Sequence, residues 1–381
     1  MPICTHFNSR DEIGWTLNTE RLNPIPCFLI LLLTAVANAE TAEDPNSEWP
    51  MLPTRDAAID IPAQRSPNSS DTRTVKVYLT YPGGSIENVN AKTGLMLSLH
   101  NWGGNGSDGT ANPAFLAANY NVIAINVDYF QSGDLDKSIP YDFGYLQALD
   151  SLRALYFVFD GLDKRGTPFS RGRVFAAGGS GGGNVALMAN KLAPRTFACI
   201  IDCSGMCKLD NDIAFGMQGG SELSARYSQD PDDPHFLSTD AQTIRFVGHP
   251  GHLSVMKQLG NTCKIIVSHG SADDICPVEH AREMVANMQT AKVDIEAHFI
   301  TESDLDDTVF TNTGHGVGNR TLVVDHFARK YLMPDSESAL VRSGKCDFEL
   351  RDEKVRYATP NGEYVISYET GYPISRFEMR P

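Results

Sequence analysis

Between residues 74 and 332 short apolar runs alternate with longer segments of helical periodicity, and no other feature of this sequence limits its fold as strongly. The runs at 95–100 (LMLSLH) and 122–127 (VIAINV) lack a polar face, as expected for strands buried on both sides of a sheet. Segments between such runs, as at 144–163, place apolar groups at helical spacing. The alternation predicts an α/β fold with a mostly parallel sheet and helices on both faces. The predicted strands cover 74–81, 95–100, 122–127, 174–179, 198–203, 264–269 and 294–300, and the predicted helices cover 144–163, 182–193, 278–289 and 321–332.

The domain organisation follows from the segments that interrupt this rhythm. Residues 40–72 are rich in Pro, Asp, Ser and Asn and are interpreted as a linker before a main domain at 73–335. Residues 205–262 are much longer than a normal crossover between strands, which predicts a cap insertion. Residues 336–381 are predicted to form a β-rich C-terminal appendage, because an Asn-Gly pair at 361–362 separates two alternating runs and favours a hairpin.

Residues 1–39 have the features of a secretory signal peptide with an atypical N-terminal extension. The apolar run at 25–37 is too short to span a bilayer and is followed by Ala37-Asn38-Ala39, the small residues of a cleavage site. The preceding stretch is long and not basic, with two arginines against three acids. A buried helix or strand is the alternative interpretation. The signal peptide predicts a secreted or periplasmic protein.

Charge and cysteine content exclude several other classes of function. The formal net charge is −15 and the pI is near 5.1, whereas nucleic acids and anionic membranes need a basic face on the protein. Six cysteines follow residue 39, and an exported protein can pair them in a connectivity that spacing does not reveal. Cysteines at 199, 203 and 207 have a spacing that matches no usual zinc site. We therefore expect no metal and no other cofactor.

The string GGSGG at 178–182 carries the strongest sign of chemistry. An apolar strand runs directly into it and a helix starts directly after it, which is the arrangement of a nucleophile elbow. Such a turn holds Ser180 in a strained conformation above the carboxyl edge of the sheet, and glycines at 178 and 182 avoid the clash that a Cβ would cause. The alternative is a tightly packed or phosphate-binding turn, but the string lacks the lysine and spacing of a P-loop. Ser180 is predicted to be a nucleophile.

An acid is expected on the same sheet edge as Ser180. The strand at 264–269 leads into H-G-S-A-D-D, so an acid just past its carboxyl end would lie beside the nucleophile. Asp273 is the preferred residue and Asp274 the alternative. Both could also be solvated loop acids.

A base must take the proton of the serine hydroxyl, and ten histidines compete for this role. His315 lies in T-G-H-G, between the strand at 294–300 and the closing helix, where a mobile loop could carry an imidazole over the serine. It is the predicted base. The others are interpreted as structural, with His269 and His298 in strands, His326 within a helix and His280 at a helix start.

The tetrahedral intermediate of acyl transfer requires preorganised N–H donors for its oxyanion. One is predicted to be the backbone N–H of Gly181, just after the nucleophile. The other is expected from the glycine-rich loop after the strand at 95–100, where the Trp102 N–H is favoured and the Gly103 N–H is next. The alternative is a plain turn with a surface tryptophan.

These motifs resemble those of a known superfamily. H-N-W-G-G, G-G-S-G-G, H-G-S-A-D-D-I-C-P and the late G-H-G are similar to the α/β-hydrolase superfamily, most closely to its branch of prolyl oligopeptidases and dienelactone-hydrolase-like esterases. The resemblance covers about 74–332 and implies an eight-stranded, mostly parallel sheet with a Ser180–Asp273–His315 triad. Asn101 and Cys276 stand where that branch usually has Gly and Val. INVDYFQSGD (125–134) and the ALDSLRAL helix are also similar to an uncharacterised bacterial family of this fold.

The predicted function is a secreted serine hydrolase that cleaves a small-molecule or polysaccharide-linked ester, of a carbohydrate, phenolic or short acyl group, through an acyl-enzyme. A serine peptidase of the prolyl oligopeptidase type is the alternative within the enzymes. A non-catalytic binding module on a hydrolase fold is a second alternative, and an adhesion role for the C-terminal β segment is a third.

Overall fold

An eight-stranded sheet forms the centre of the molecule, for which a computed structural model describes residues 49–66, 71–133, 138–218 and 220–380. In chain order its strands are β1 (Ala57–Ala63), β2 (Arg73–Thr80), β3 (Gly94–Leu99), β4 (Val122–Asp128), β5 (Val174–Gly179), β6 (Cys199–Cys203), β7 (Lys264–Gly270) and β8 (Ile295–Ile300). Their spatial order is β1-β2-β4-β3-β5-β6-β7-β8. The β1–β2 and β2–β4 pairs are antiparallel and the pairs from β4 to β8 are parallel. The predicted mostly parallel eight-stranded sheet is confirmed.

Helices cover both faces of this sheet. They are α1 (Pro113–Tyr120), α2 (Tyr145–Arg165), α3 (Gly181–Leu192), α4 (Asn211–Phe215), α5 (Thr239–Ile244), α6 (Pro250–Gln258), α7 (Val278–Thr290) and α8 (Arg320–Leu332). Alternate residues of a central strand enter two separate apolar clusters, with Leu95 and Leu97 of β3 on the side of α2 and α3, and Met96 on the side of α1 and α8. Each fully buried side chain of this kind contributes roughly 1.5–3 kcal/mol. This two-sided burial is why the central strands are unbroken apolar runs in the sequence.

Strand β1 corrects the interpretation of residues 40–72 as a linker. Residues 57–63 pair along their whole length with β2, from Ala57 opposite Leu79 to Ala63 opposite Arg73. The segment contains Asp60 and Pro62, which are uncommon in strands. An edge strand tolerates both, because one side of its backbone has no strand to pair with. The linker prediction is wrong for this segment.

The segment predicted as a cap insertion, 205–262, has two parts. Its last helix, α6, packs against α7 and against β9, which belongs to the C-terminal sheet and spans Lys354–Ala358. The part before α6 contains α4 and α5 and forms a small apolar cluster with Tyr141, Phe143 and Cys276. A covering role for this part stays a prediction.

The C-terminal segment forms a separate antiparallel sheet of β9, β10 (Gly362–Ser367) and β11 (Ile374–Met379), with the predicted hairpin between the first two. This sheet packs into the core of the main domain, whereas an appendage would be joined to it loosely. Tyr357 and Tyr368 are fully buried in the same apolar cluster as α2 and α3. Their hydroxyls donate to the Lys191 and Leu192 carbonyls at the end of α3.

Three further expectations concern the signal peptide, membrane-spanning helices and the pairing of the cysteines. The predicted signal peptide, 1–39, lies outside the described residues. Within the described ranges no helix has the length and apolar character needed to cross a bilayer. The six cysteines after residue 39 are all buried free thiols: Cys199, Cys203, Cys207, Cys263, Cys276 and Cys346.

Candidate active site

The turn between β5 and α3 has the backbone expected of a nucleophile elbow. Ser180 adopts φ 53° and ψ −122°, a conformation that L-residues rarely take. A Cβ at residue 178 would lie 2.2 Å from the Gly182 carbonyl oxygen, and a Cβ at residue 182 would lie 2.3 Å from the Leu99 carbonyl oxygen. Both positions therefore require glycine. The turn brings Ser180 to the carboxyl edge of the sheet, where it is 6% exposed.

Asp273 and His315 meet at the same edge. His315 Nδ1 lies 3.0 Å from Asp273 Oδ2, and the other carboxylate oxygen accepts the backbone N–H groups of Ile275 and Cys276. Burial alone would raise the pKa of Asp273, but hydrogen bonds from His269 and His315 hold it well below its usual range. Asp273 is therefore an anion at any working pH. The alternative acid, Asp274, is exposed to solvent.

The Ser180 hydroxyl contacts Cys276, the residue whose backbone N–H donates to Asp273. Its oxygen lies 4.0 Å from Cys276 Sγ, and among the described residues no hydrogen bond joins it to His315. His315 lies in a loop where Gly316 and Val317 have positive φ, and its side chain is 22% exposed. Catalytic hydrogen bonds are often long before substrate binds, so the Ser180–His315 contact stays a prediction.

His269 is a neighbour of the acid that the sequence analysis treated as a simple strand residue. It is fully buried near the end of β7, and its Nε2 lies 2.8 Å from the Cys276 carbonyl oxygen and 3.3 Å from Asp273 Oδ2. A single carboxylate oxygen of Asp273, Oδ2, therefore faces the imidazoles of both His269 and His315. The signal in the sequence is the spacing H-x-x-x-D, which places the two residues in one strand-to-loop turn.

Asp202, near the end of β6, is a second buried carboxyl group in this region. A Cβ at residue 183 or 205 would lie only 2.2 or 2.1 Å from its Oδ1, so two glycines make room for the carboxylate. The backbone N–H of Gly205 donates a hydrogen bond to this carboxylate. Burial raises the pKa of Asp202 to about 6, against the nearby charges of His269 and Arg320.

The raised pKa of Asp202 predicts a pH-dependent stability. Between about pH 4 and pH 6 the folded state keeps a proton that the unfolded chain has lost, so stability falls as pH rises through this window. Asp202→Asn is expected to remove about 2 kcal/mol of the fall between pH 4.5 and pH 7. Urea unfolding at pH 4.5 and pH 7 measures it, with exposed Asp274→Asn as the matched control. An unchanged difference between the two pH values in Asp202→Asn would contradict the prediction.

The predicted oxyanion donors lie next to one another. Gly181 begins α3, and a Cβ on it would lie 2.8 Å from the Trp102 backbone nitrogen. Gly103 adopts φ 72°, which lets the loop after β3 turn at this point. The Trp102 indole stacks on the Tyr141 ring, with centroids 3.7 Å apart and planes 7° from parallel. The sequence analysis did not single out Tyr141 or Asp202.

A known protein family matches part of this chain. The family model described as a protein of unknown function, DUF2920, matches residues 137–333, which is just over half of the chain. The chain belongs to the DUF2920 family. The matched residues include Tyr141, Ser180, Asp273 and His315, whereas Trp102 precedes them. A comparison with curated proteins found no match.

Solved structures similar to this DUF2920 member include peptidases and an esterase. The acylaminoacyl peptidase of Pyrococcus horikoshii is 13% identical, with a TM-score of 0.50 over 77% of this chain and 43% of its own. The puromycin-hydrolyzing peptidase of Mycobacterium tuberculosis is 13% identical, with a TM-score of 0.49 over 76% and 41%. A bacterial heroin esterase is 17% identical, with a TM-score of 0.47 over 73% and 83%. This chain therefore spans about two fifths of the length of the two peptidases. The likeness shows the α/β-hydrolase fold, as the motifs predicted.

Proposed function

We propose that this chain is a serine hydrolase with Ser180 as its nucleophile. One observation carries the proposal: a serine in a strained strand-to-helix turn shares a sheet edge with a buried Asp273 that is hydrogen-bonded to His315. Strained backbone conformations persist where the surrounding structure enforces them, and they cluster at functional sites. A packing role alone would not require the strain, the buried anion and the imidazole together.

In the proposed reaction His315 takes the proton of the Ser180 hydroxyl while Oγ bonds to the substrate carbonyl carbon. Asp273 accepts the Nδ1–H hydrogen bond and stabilises the imidazolium that forms. The N–H groups of Gly181 and Trp102 donate to the oxyanion. His315 then gives the proton to the leaving oxygen as the acyl–oxygen bond breaks, and water resolves the acyl-enzyme by the same steps in turn. The loop around His315 must close on Ser180 for the first step.

The proposed substrate is an ester of a carbohydrate, phenolic or short acyl group. A peptide is the alternative, because one of the neighbours is an acylaminoacyl peptidase and the same triad can protonate a leaving amine. We also propose export, since the apolar run at 25–37 and the small residues after it have the form of a signal peptide. A mature protein that starts near residue 40 would support export.

A fluorophosphonate probe tests the nucleophile directly. The wild-type protein is expected to be labelled once per chain, on the peptide that contains Ser180, and Ser180→Ala is expected to remain unlabelled. Chromogenic esters of increasing acyl length, assayed beside aminoacyl amides with Ser180→Ala as the blank, then separate esterase from peptidase. A folded wild-type protein that neither reacts with the probe nor cleaves any of these substrates would favour the non-catalytic binding module instead.

A further inference from the structure

The turn that follows β6, residues 203–206, holds the nucleophile elbow from two sides. The Ser180 N–H donates to the Cys203 carbonyl at 3.1 Å, and the Met206 N–H donates back to the Ser180 carbonyl at 3.3 Å. The Asn184 side chain, in the first turn of α3, donates to the Met206 carbonyl at 2.6 Å. The position of Ser180 is therefore tied to the shape of this turn.

Ser204, inside this turn, has a backbone that a serine rarely adopts. It is fully buried with φ 54°, in the left-handed region that favours glycine. Its N–H donates to the Ser268 carbonyl at 2.7 Å, which holds the turn against β7, the strand that leads to Asp273. Glycine would adopt this φ at less cost, so a serine at this position is explained by what its hydroxyl does.

The Ser204 hydroxyl reaches the loop that carries His315. Its oxygen accepts the N–H of Gly316, the residue directly after His315, at 3.4 Å. This distance is longer than that of the usual N–H···O hydrogen bond, about 2.7–3.2 Å. The bond therefore has room to shorten as the loop closes on Ser180.

The other side of the same loop is anchored to the end of β7. The Thr313 carbonyl accepts the Ala272 N–H at 2.9 Å, and a Cβ at residue 270 would lie 2.3 Å from the same carbonyl oxygen. The Asp273 carboxylate, which binds the His315 ring, belongs to this end of β7 as well. These contacts fix the base relative to the acid, but they do not involve the nucleophile.

We infer that Ser204 is a positioning residue that sets the distance between the His315 imidazole and the Ser180 hydroxyl. Its hydroxyl ties the His315 loop to the turn that holds Ser180, and no proton passes through it. The inference rests on the proposed function and goes beyond it by naming the contact that brings base and nucleophile together. Because a displacement of about 1 Å can cost much of the rate, the contact acts on the chemical step rather than on substrate binding.

Ser204→Ala and Ser204→Gly test the inference, because both remove the hydroxyl but they differ in backbone strain. Alanine keeps the unfavourable φ, whereas glycine relieves it, so the glycine variant should fold as stably as the wild type. We expect both variants to lower kcat about 10–10²-fold on an ester that the wild type cleaves, with KM changed little. Ser151→Ala is the matched control, since the Ser151 hydroxyl is equally buried but donates to the Gln147 carbonyl within α2, and its kcat should be unchanged.

Amide hydrogen exchange reports on the loop itself. The Gly316 N–H is expected to exchange faster in both Ser204 variants, whereas amides in the middle of α3 should exchange at the wild-type rate. Rates of ester cleavage are divided by the number of sites that a fluorophosphonate probe labels at completion, so unfolded molecules do not count.

Similar losses of kcat in the two variants, together with faster exchange at Gly316, would support the positioning role. Full kcat in either variant, a change confined to KM, or wild-type exchange at Gly316 would overturn it and leave the hydrolase proposal intact. A wild type that neither reacts with the probe nor cleaves esters would overturn both.

Discussion

Replacing Asp273 by Asn is expected to lower kcat by about 10⁴-fold while leaving Ser180 in place. In the wild-type protein one carboxylate oxygen of Asp273 lies 3.0 Å from His315 Nδ1, and so it accepts a hydrogen bond from the N–H at that position. If an amide NH₂ group takes this position, His315 must present a lone pair at Nδ1 and carry its proton on Nε2. The imidazole then has no free nitrogen with which to accept the Ser180 proton.

The same substitution disturbs a second imidazole, because His269 Nε2 lies 3.3 Å from the shared Asp273 oxygen. The two backbone N–H groups of Ile275 and Cys276 can still donate to the carbonyl oxygen of the new side-chain amide if the amide adopts that orientation, so the fold should survive. The measurement is kcat on the best ester, together with the thermal unfolding midpoint.

Asp274→Asn is the matched control for this experiment. It is the adjacent acid, it is exposed, and its kcat should stay within about twofold of the wild type. A protein in which Asp274→Asn loses activity and Asp273→Asn retains it would contradict the assignment of the acid. Loss in neither variant would contradict the triad itself.

Asp347→Ala is expected to destabilise the protein by about 3 kcal/mol, the largest loss of stability that we predict. Asp347 is fully buried and accepts hydrogen bonds from Arg195 Nε at 2.9 Å, from the Arg195 N–H at 2.7 Å and from the Thr196 hydroxyl at 2.9 Å. Without the carboxylate, the guanidinium keeps only its pair with the half-exposed Glu353. The buried donors around residue 347 would then lack an acceptor.

Urea unfolding measures this loss, and exposed Asp352→Ala in the same segment serves as the control, with an expected change within about 0.5 kcal/mol. Activity per labelled site should not change in Asp347→Ala. Arg195 follows the end of α3, whereas Ser180 precedes its first residue, and the 12 residues of this helix separate them by about 18 Å. Unchanged stability in Asp347→Ala would mean that the C-terminal sheet is attached more loosely than its contacts indicate.

Consecutive residues were enough to predict the central architecture. The runs LMLSLH and VIAINV indicated buried parallel strands because both faces of such strands meet apolar side chains. Glycines on either side of Ser180 indicated the elbow, since a Cβ at residue 178 would clash with the backbone of the same turn and a Cβ at residue 182 with the end of β3. The acid and the histidine were recognisable by their places after β7 and before α8, where chain direction alone brings them to one edge.

Contacts between distant elements carry no comparable mark in the sequence. Strand β1 contains Asp60 and Pro62, and only its position at the sheet edge makes them acceptable. Tyr141 follows β4, yet its ring stacks on Trp102 after β3 and its hydroxyl lies beside Gly181 at the start of α3. Local patterns reflect the backbone's own geometry and the side on which a residue is buried. The partner that a buried polar group meets depends on how the elements pack, and that is settled only when the whole chain has folded.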